Sequence, residues 1–173
     1  PPRIAVEVRD IPPVEDWPWF NEKFKDITAD PLKWIAAAEK WNPDLICFRL
    51  ASCHPDTENR STDYVREIIG KVLQATKLPL IIIGCGHVEK DSEVLLQACE
   101  TAKNERCLIG MAVKDNYKTI TAAAMASGHS IITESPLDIN LAKQLNILVS
   151  DMGLSLERVV MHHSTGGLGY GFE

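Results

Sequence analysis

Short apolar runs alternate with amphipathic stretches along the whole chain. The apolar runs are rich in β-branched residues and predict six strands, at residues 4–9, 45–50, 80–84, 107–113, 130–133 and 159–162. Between them, apolar residues recur every three or four positions. This spacing predicts five helices, at residues 31–41, 62–76, 92–103, 117–127 and 138–152. The stretch 11–24 is rich in Pro and Trp and predicts a long loop.

Residues that favour helix ends mark several of these boundaries. Asp30 followed by Pro31 is a typical helix start, with Asp as the N-cap and Pro at the first helical position. Gly128 and Gly153 are placed to end two helices. The last helix can be capped by Ser135 or by Asp138.

The strict alternation of strand and helix predicts an α/β fold with a parallel sheet and crossover helices. Two architectures fit this pattern: an open doubly wound sheet, and a TIM (β/α)8-type barrel, which needs eight units and typically about 250 residues. A Rossmann dinucleotide site would require GxGxxG directly after the first strand. That position holds Arg9-Asp10-Ile11-Pro12-Pro13, so no such site is predicted.

Length and composition narrow the class of protein. The 173 residues correspond to about one domain, and 45% hydrophobic and 24% charged residues are typical of a globular chain. A net charge of -6 argues against a nucleic-acid partner, and no apolar run is long enough for a membrane span. The five cysteines form no CxxC pair, so we predict buried free thiols, a reducing cytoplasmic compartment, and neither a metal site nor an iron–sulfur cluster in this chain.

In either architecture, ligands bind at the carboxyl ends of the strands, where polar residues are concentrated. They follow almost every predicted strand and include Asp10, Arg49, His54, His87, Asn116, Ser135 and His162. His54 and His87 could approach each other there. His162 and His163 are adjacent and point to opposite faces of a strand, which disfavours a shared metal. Gly84 and Gly86 suggest a tight turn where something approaches the backbone.

No catalytic residue is predicted from these loops. The segment 166–171 has four glycines and could form an anion nest or a flexible loop, but it lacks the Lys-Ser/Thr of a P-loop. Lys114 could form a Schiff base at a barrel mouth, as in an aldolase, but the neighbouring Asp115 would keep it charged. Ser135 lacks the GxSxG context of a hydrolase.

Several of these segments, taken in order, resemble one protein family. They are AVEVRDI at 5–11, GCG at 84–86, VEKD at 88–91, DNYK at 115–118, SPLDINLAKQLNIL at 135–148 and GGLGYGFE at 166–173. Together they are similar to the small (delta) subunit of the corrinoid iron–sulfur protein in the CO dehydrogenase/acetyl-CoA synthase system. The chain departs from the family pattern at His162-His163, where the family usually has Asp-Pro, and at residues 51–55.

The resemblance implies a TIM barrel, of which residues 1–173 would supply about six strands and five helices, incomplete at the C-terminus. It also implies a heterodimer with a large subunit that carries a corrinoid-binding domain and a 4Fe-4S cluster. The corrinoid (cobamide) would lie at the interface, against the top of the barrel, while a methyl group passes from methyl-tetrahydrofolate or its methanopterin equivalent to acetyl-CoA synthase. The pterin methyltransferase and acetyl-CoA synthase would be transient partners, and this chain would make and break no bonds itself.

On this interpretation we predict which residues contact the corrinoid's amide side chains or axial region: His87, Asn116, Ser135, His162, Thr165 and Gly167. Amides need donors and acceptors without charge, which these residues supply. An alternative is a pterin-dependent methyltransferase that binds methyl-tetrahydrofolate itself, with Asp115, Asn116 and Asp138 as candidate pterin ligands. A polypeptide that ends at Glu173 is expected to leave unpaired strand edges and therefore to be poorly soluble or oligomeric.

Overall fold

A computed structural model describes residues 2–13 and 18–164, with the side chain of Asn21 left aside. The strands are β1 (Ala5–Arg9), β2 (Leu45–Arg49), β3 (Leu80–Ile83), β4 (Leu108–Ala112), β5 (Ser130–Glu134) and β6 (Val159–His162). The helices are α1 (Pro18–Thr28), α2 (Pro31–Glu39), α3 (Thr62–Ala75), α4 (Val88–Thr101), α5 (Tyr117–Ser127) and α6 (Ile139–Asp151), with 3-10 turns at Ala51–Cys53 and Leu156–Arg158.

All six strands lie in one parallel sheet whose spatial order follows the chain, β1-β2-β3-β4-β5-β6. A doubly wound sheet needs a point where the strand order reverses, and this sheet has none. Right-handed crossovers between consecutive neighbours place every connecting helix on the same face. The structure therefore excludes the doubly wound alternative. The sheet is open between β1 and β6, so closure into a barrel is not observed.

The core lies between the sheet and this single layer of helices. Alternate strand residues point into it, and six of these, from five strands, have 0% exposure: Val8, Ile46, Phe48, Ile82, Ile109 and Ile131. They pack with apolar residues of the helices such as Ile35, Ile69 and Leu95. The intervening strand residues face the opposite side, which we call the inner face.

The inner face carries no helix in the part of the chain that the structure describes. Its apolar residues include Ile81, Ile83, Leu108, Ile132 and Val160. Ile83 and Ile132 are buried, at 8% and 7% exposure, whereas Val160 on the edge strand β6 is 48% exposed. Parallel sheets are normally covered on both faces. The sheet therefore has one face packed by helices and a second, partly apolar face that no described helix covers.

One helix was missed by the sequence prediction, and another begins earlier than predicted. The stretch 11–24 was predicted to be a loop, but α1 begins at Pro18 and joins α2 through contact of Phe20 with Trp34, whose ring centroids are 5.9 Å apart. Pro at the first helical position favours the helix start, so the proline did not break it. Helix α4 begins at Val88 rather than at residue 92, because His87 serves as its N-cap.

Candidate functional site

A cavity of about 290 Å³ opens at the carboxyl end of the sheet, beside the ends of strands β2 to β6. Its polar lining residues are Arg49, Asp91, Asn116, Glu134 and His162, and its apolar ones include Ile83, Val88, Met111 and Val113. Residue 110 on the inner face has no space for a side chain, because a Cβ there would lie only 2.8 Å from Cβ of Ile132. The position matches the rule that ligands bind at the carboxyl ends of parallel strands.

Two arginines share one carboxylate on the inner face beside this cavity. Arg49 donates from Nε to Oε1 of Glu7 at 3.1 Å and from Nη2 to Oε2 at 3.3 Å. Arg9 donates from Nε to Oε1 of Glu7 at 2.9 Å. Burial by itself raises the pKa of Glu7, but the hydrogen bonds from Arg49 and Arg9 outweigh it and hold the pKa below its ordinary value. Glu7 is therefore a carboxylate, and the three residues together carry one net positive charge.

A second ionisable pair lies on the edge strands at the other side of the cavity. Nδ1 of His162 lies 3.1 Å from Oε1 of Glu134, and the two residues are paired across β5 and β6. The side chain of His162 is about half exposed and that of Glu134 is 28% exposed. His162 thus lies where the sequence predicted it, at a strand end that borders the cavity.

The glycine turn after β3 is closed by a residue of this chain. The carboxylate of Asp91 accepts the backbone N–H of Cys85 at 2.6 Å and that of Gly86 at 3.0 Å. A Cβ on Gly84 would lie 2.2 Å from Oδ1 of Asp91. The group that approaches the Gly84–Gly86 backbone is therefore this side chain, which is only 5% exposed.

His54 and His87 meet at the rim, as the sequence predicted, with ring centroids 5.9 Å apart in an edge-to-face arrangement. Nδ1 of His54 accepts the N–H of Asp56 at 3.1 Å, and Nδ1 of His87 accepts the N–H of Lys90 at 3.4 Å. A neutral imidazole whose Nδ1 accepts a hydrogen bond carries its proton on Nε2. Both rings therefore have an Nε2–H group available as a donor, and this tautomer does not suit metal binding through Nε2.

Asn116 and Ser135, two further predicted contact residues, are buried at 3% and 2% exposure. Oδ1 of Asn116 accepts the N–H of Val113 at 2.7 Å, so this amide shapes the loop after β4 while it lines the cavity. The N–H of Ser135 donates to the carbonyl of His162 at 3.1 Å and ties the loop after β5 to β6. The predicted contacts Thr165 and Gly167 lie outside the described residues.

Another buried carboxylate supports the loop after β2. Asp10 is 7% exposed and accepts both the hydroxyl of Ser52 and, at 2.9 Å, its backbone N–H. Burial raises the pKa of Asp10 above its ordinary value, although the hydrogen bonds from Ser52 oppose it. This pair fixes the chain at the start of the loop that carries His54.

Lys114 and four of the five cysteines lie away from the cavity lining, whereas Cys85 lies in the turn next to the lining residue Gly86 and is only partly buried, contrary to the prediction. Cys47, Cys53, Cys99 and Cys107 are buried free thiols, as predicted, and burial raises the pKa of each thiol to about 11 or 12. Lys114 lines a separate groove of about 390 Å³ between α5 and α6. Among the described residues, no group of three or more His, Cys, Asp or Glu residues could hold a metal ion, and no helix is long and apolar enough to cross a membrane.

Three charged lining residues, Arg49, Asp91 and Glu134, were not among the predicted corrinoid contacts, although Arg49 was noted at its strand end. A signal existed on β1, where Glu7 and Arg9 alternate with Val6 and Val8. Charged residues at every second position of a strand face the side that the helices do not cover. Parallel register then brings Arg49 opposite Arg9. Asp91 gave no comparable signal, since an acidic residue in the first turn of a helix is common.

Comparison with known proteins gives one consistent result. The family model described as CO dehydrogenase/acetyl-CoA synthase delta subunit matches residues 1–173. Relatives named acetyl-CoA decarbonylase/synthase complex subunit delta include one from Methanothermobacter thermautotrophicus, 36% identical over 176 residues, and one from Methanopyrus kandleri, 34% identical over 175 residues. Each alignment covers 100% of this chain and 45% or 44% of the relative. The chain therefore spans less than half the length of the curated relatives that it matches.

Proposed function

Because this chain belongs to the CO dehydrogenase/acetyl-CoA synthase delta subunit family, we propose that it pairs with a corrinoid- and 4Fe-4S-bearing subunit and helps to hold the corrinoid. The methyl group would pass from a methylated tetrahydropterin to acetyl-CoA synthase, as in the reductive acetyl-CoA pathway. The observation that carries the proposal is the polar cavity at the carboxyl end of the sheet, next to a bare inner face.

The six strands are proposed to form part of a (β/α)8 barrel. Sequential parallel order and helices on one face only are the features of a barrel wall. Closure would need two further strands to bridge β1 and β6. The relatives are more than twice as long as the matched region, so their chains have room for these strands.

The cavity fits a corrinoid only in part. At about 290 Å³ it is at the small end of ligand pockets and could accept an amide arm of the macrocycle rather than the whole ring. The ring would then lie across the rim, shared with the partner subunit. This arrangement agrees with a cofactor held between two proteins.

The residues proposed to face the corrinoid differ in what they can offer. His87 at the rim has an Nε2–H donor, and His162 borders the cavity with its ring half exposed. Asn116 and Ser135 are buried, so they support the loops that the corrinoid touches. The cobalt of a bound corrinoid would carry the methyl group. The residues of this chain would orient the macrocycle and exclude water from one of its faces.

No observation favours the alternative of a methyltransferase that binds the pterin itself. Of its three candidate ligands, Asn116 already accepts a hydrogen bond from Val113 through Oδ1, and Asp138 caps α6 by accepting the N–H groups of Asn140 and Leu141. Asp115 lines the outer groove between α5 and α6. These three side chains do not form one pterin-binding set.

Co-purification tests the proposal. We expect the natural-length subunit, co-expressed with the corrinoid iron–sulfur subunit, to elute as a one-to-one complex that contains cobalt corrinoid. His162→Ala should lower the amount of corrinoid retained per complex without changing the one-to-one stoichiometry. His163→Ala, which changes the exposed neighbouring residue, should leave the amount of retained corrinoid unchanged. Absence of a complex would contradict the proposal. Tight binding of a methyl-tetrahydropterin by the subunit without its partner would favour the methyltransferase instead.

A further inference from the structure

The cavity at the carboxyl end contains charged groups of both signs on opposite sides. Arg49 reaches it from β2, and Glu134 reaches it from β5. Both groups have unused hydrogen-bonding capacity. Arg49 bonds Glu7 through Nε and Nη2, and within the described residues its Nη1 meets no acceptor. Glu134 approaches His162 through Oε1, and within the same residues its Oε2 meets no donor.

Two of the other polar groups of the cavity are already occupied, and His162 contacts Glu134 through Nδ1 while its ring stays about half exposed. Asp91 accepts two backbone N–H groups of the glycine turn, and the amide of Asn116 bonds the backbone of the loop after β4. The groups left for a ligand are therefore the guanidinium of Arg49 on one side and, on the other, the carboxylate of Glu134 beside the half-exposed ring of His162.

This arrangement selects by charge. An anionic group would be attracted by Arg49 but repelled by Glu134 and Asp91, which lie in the same cavity. A cationic group would be repelled by Arg49. A neutral group that accepts on one side and donates on the other meets neither penalty, and a primary carboxamide is such a group, with a carbonyl oxygen and an NH2.

We propose that the cavity between Arg49 and Glu134 is a carboxamide subsite. Nη1 of Arg49 donates to the amide oxygen, and Oε2 of Glu134 accepts from the amide nitrogen. The inference rests on the proposed function, since the carboxamide it would take is a peripheral amide of the corrinoid. His162 holds Glu134 in place through Oε1 and leaves Oε2 free for the ligand.

A direct test compares cobinamide with its monocarboxylate isomers, in each of which one carboxamide has become a carboxylate. The measured quantity is the dissociation constant for each probe with the complex of the natural-length subunit and its corrinoid partner. We expect one isomer to bind the wild-type complex on the order of tenfold more weakly than cobinamide, because a carboxylate would lie against Glu134.

The variant that identifies the subsite is Glu134→Gln, which keeps the shape of the side chain and removes its charge. It should bring the dissociation constant of that isomer to within about twofold of the constant for cobinamide. Arg49→Met should weaken cobinamide itself several-fold. Glu105→Gln removes an exposed carboxylate from the loop that precedes β4, at the opposite end of the sheet, and should leave every ratio unchanged.

The outcomes separate the two proposals. If the wild-type complex binds no corrinoid, the proposed function and the subsite are both wrong. If it binds cobinamide and every isomer equally well, or if Glu134→Gln leaves the discrimination intact, only the carboxamide subsite is wrong.

Discussion

Asp91 lies in the first turn of α4, and from there its carboxylate reaches back to the N–H groups of Cys85 and Gly86. The side chain thus fixes a loop that borders the cavity, although it is itself only 5% exposed. The loop can approach so closely because residue 84 has no Cβ. The shape of the candidate site therefore depends on a contact inside this chain.

Replacing Gly84 by Ala is expected to destabilise the protein by about 1–3 kcal/mol, because the new methyl group would overlap the Asp91 carboxylate. Chemical denaturation of the purified subunit measures this change. Gly70→Ala is the matched control: Gly70 lies within α3, and a Cβ there meets nothing within 4 Å, so stability should rise by about 0.5–1 kcal/mol. Equal effects of the two substitutions would contradict the argument.

His129 makes stability depend on pH. It is fully buried, Nδ1 accepts the N–H of Cys107 at 3.2 Å, and Nε2 lies 3.0 Å from the carbonyl of Cys99. Burial lowers the pKa of this histidine below its ordinary value of 6.5. The unfolded chain therefore binds a proton at a higher pH than the folded one. The neutral ring therefore makes its full contribution to the free energy of unfolding above about pH 6.5. This contribution is lost as the pH falls towards the pKa of His129 in the folded protein.

We expect His129→Gln to cost about 1–3 kcal/mol at neutral pH. It should also reduce the loss of stability between about pH 7.5 and about pH 5.5. Unfolding free energies of wild type and variant at both pH values measure the effect. The exposed His163 provides the control, since His163→Gln should leave the pH dependence as it is. A wild-type pH dependence that persists unchanged in His129→Gln would disprove the assignment.

The structural role of a single residue could be predicted from the sequence where its neighbours along the chain determine that role. The caps at Asp30 and Asp138, the left-handed Gly128 and the meeting of His54 with His87 follow from position along the chain. The engagement of Asn116 by Val113 and the pairing of Arg49 with Glu7 depend on loop conformation and strand register. Neither is visible in a list of residue types, so candidate residues for the cavity could be predicted from the sequence but their hydrogen-bond partners could not.

At the scale of secondary-structure elements, the N-termini of α3 and α6 differ in whether the capping side chain makes a hydrogen bond. Asp138 accepts the N–H groups of Asn140 and Leu141, both at 2.9 Å, and so satisfies two donors at the start of α6. Ser61 occupies the equivalent position before α3 but makes no side-chain hydrogen bond. The two helices therefore have N-caps of different strength despite similar residue types.

Asp138→Ala is expected to lower the unfolding free energy by about 0.5–2 kcal/mol, since it leaves two helix N–H groups without a side-chain acceptor. Ser61→Ala should change it by much less. Thermal or chemical denaturation of both variants checks the difference. A loss at Ser61 as large as that at Asp138 would show that the hydrogen-bond geometry does not decide the effect.

The order of strands and helices along the chain was predictable from the sequence. Over most of the chain, the spacing of apolar residues and the residues that favour helix ends indicate the same elements. Helix α1 was missed because its Pro- and Trp-rich start was interpreted as a loop, although Phe20, Phe24 and Ile27 recur at helical spacing. Phe20 contacts Phe24 within α1, with ring centroids 4.9 Å apart, and Trp34 of α2, with ring centroids 5.9 Å apart. The spatial order of the strands in the sheet could not be predicted from the sequence pattern. Alternating strands and helices are compatible both with a sheet whose strands follow chain order and with a doubly wound sheet whose strand order reverses.

At the scale of the whole molecule, the inner face without helices and the unpaired edges of β1 and β6 are the surfaces most prone to aggregation. Val160 on β6 is 48% exposed on that face, beside an edge that pairs with nothing in the described chain. Unpaired parallel edges with apolar neighbours promote association between copies.

A polypeptide of these 173 residues alone is expected to be poorly soluble or oligomeric. Size-exclusion chromatography with light scattering measures this. Val160→Lys, at the edge, should shift the population towards monomer, whereas Ile147→Lys, on the exposed side of α6 at 60% exposure, should shift it less. A monomeric wild-type fragment with a sharp, reversible thermal transition would refute the expectation.

The sequential order of the strands has a consequence for biosynthesis. Each strand pairs with the one translated just before it, so no strand must wait for a distant segment before it can dock. Contacts between near neighbours in the chain favour rapid folding, and nascent chains fold from their N-terminal end. A ribosome that stalls after any of these helices would therefore hold a narrower sheet with its register intact.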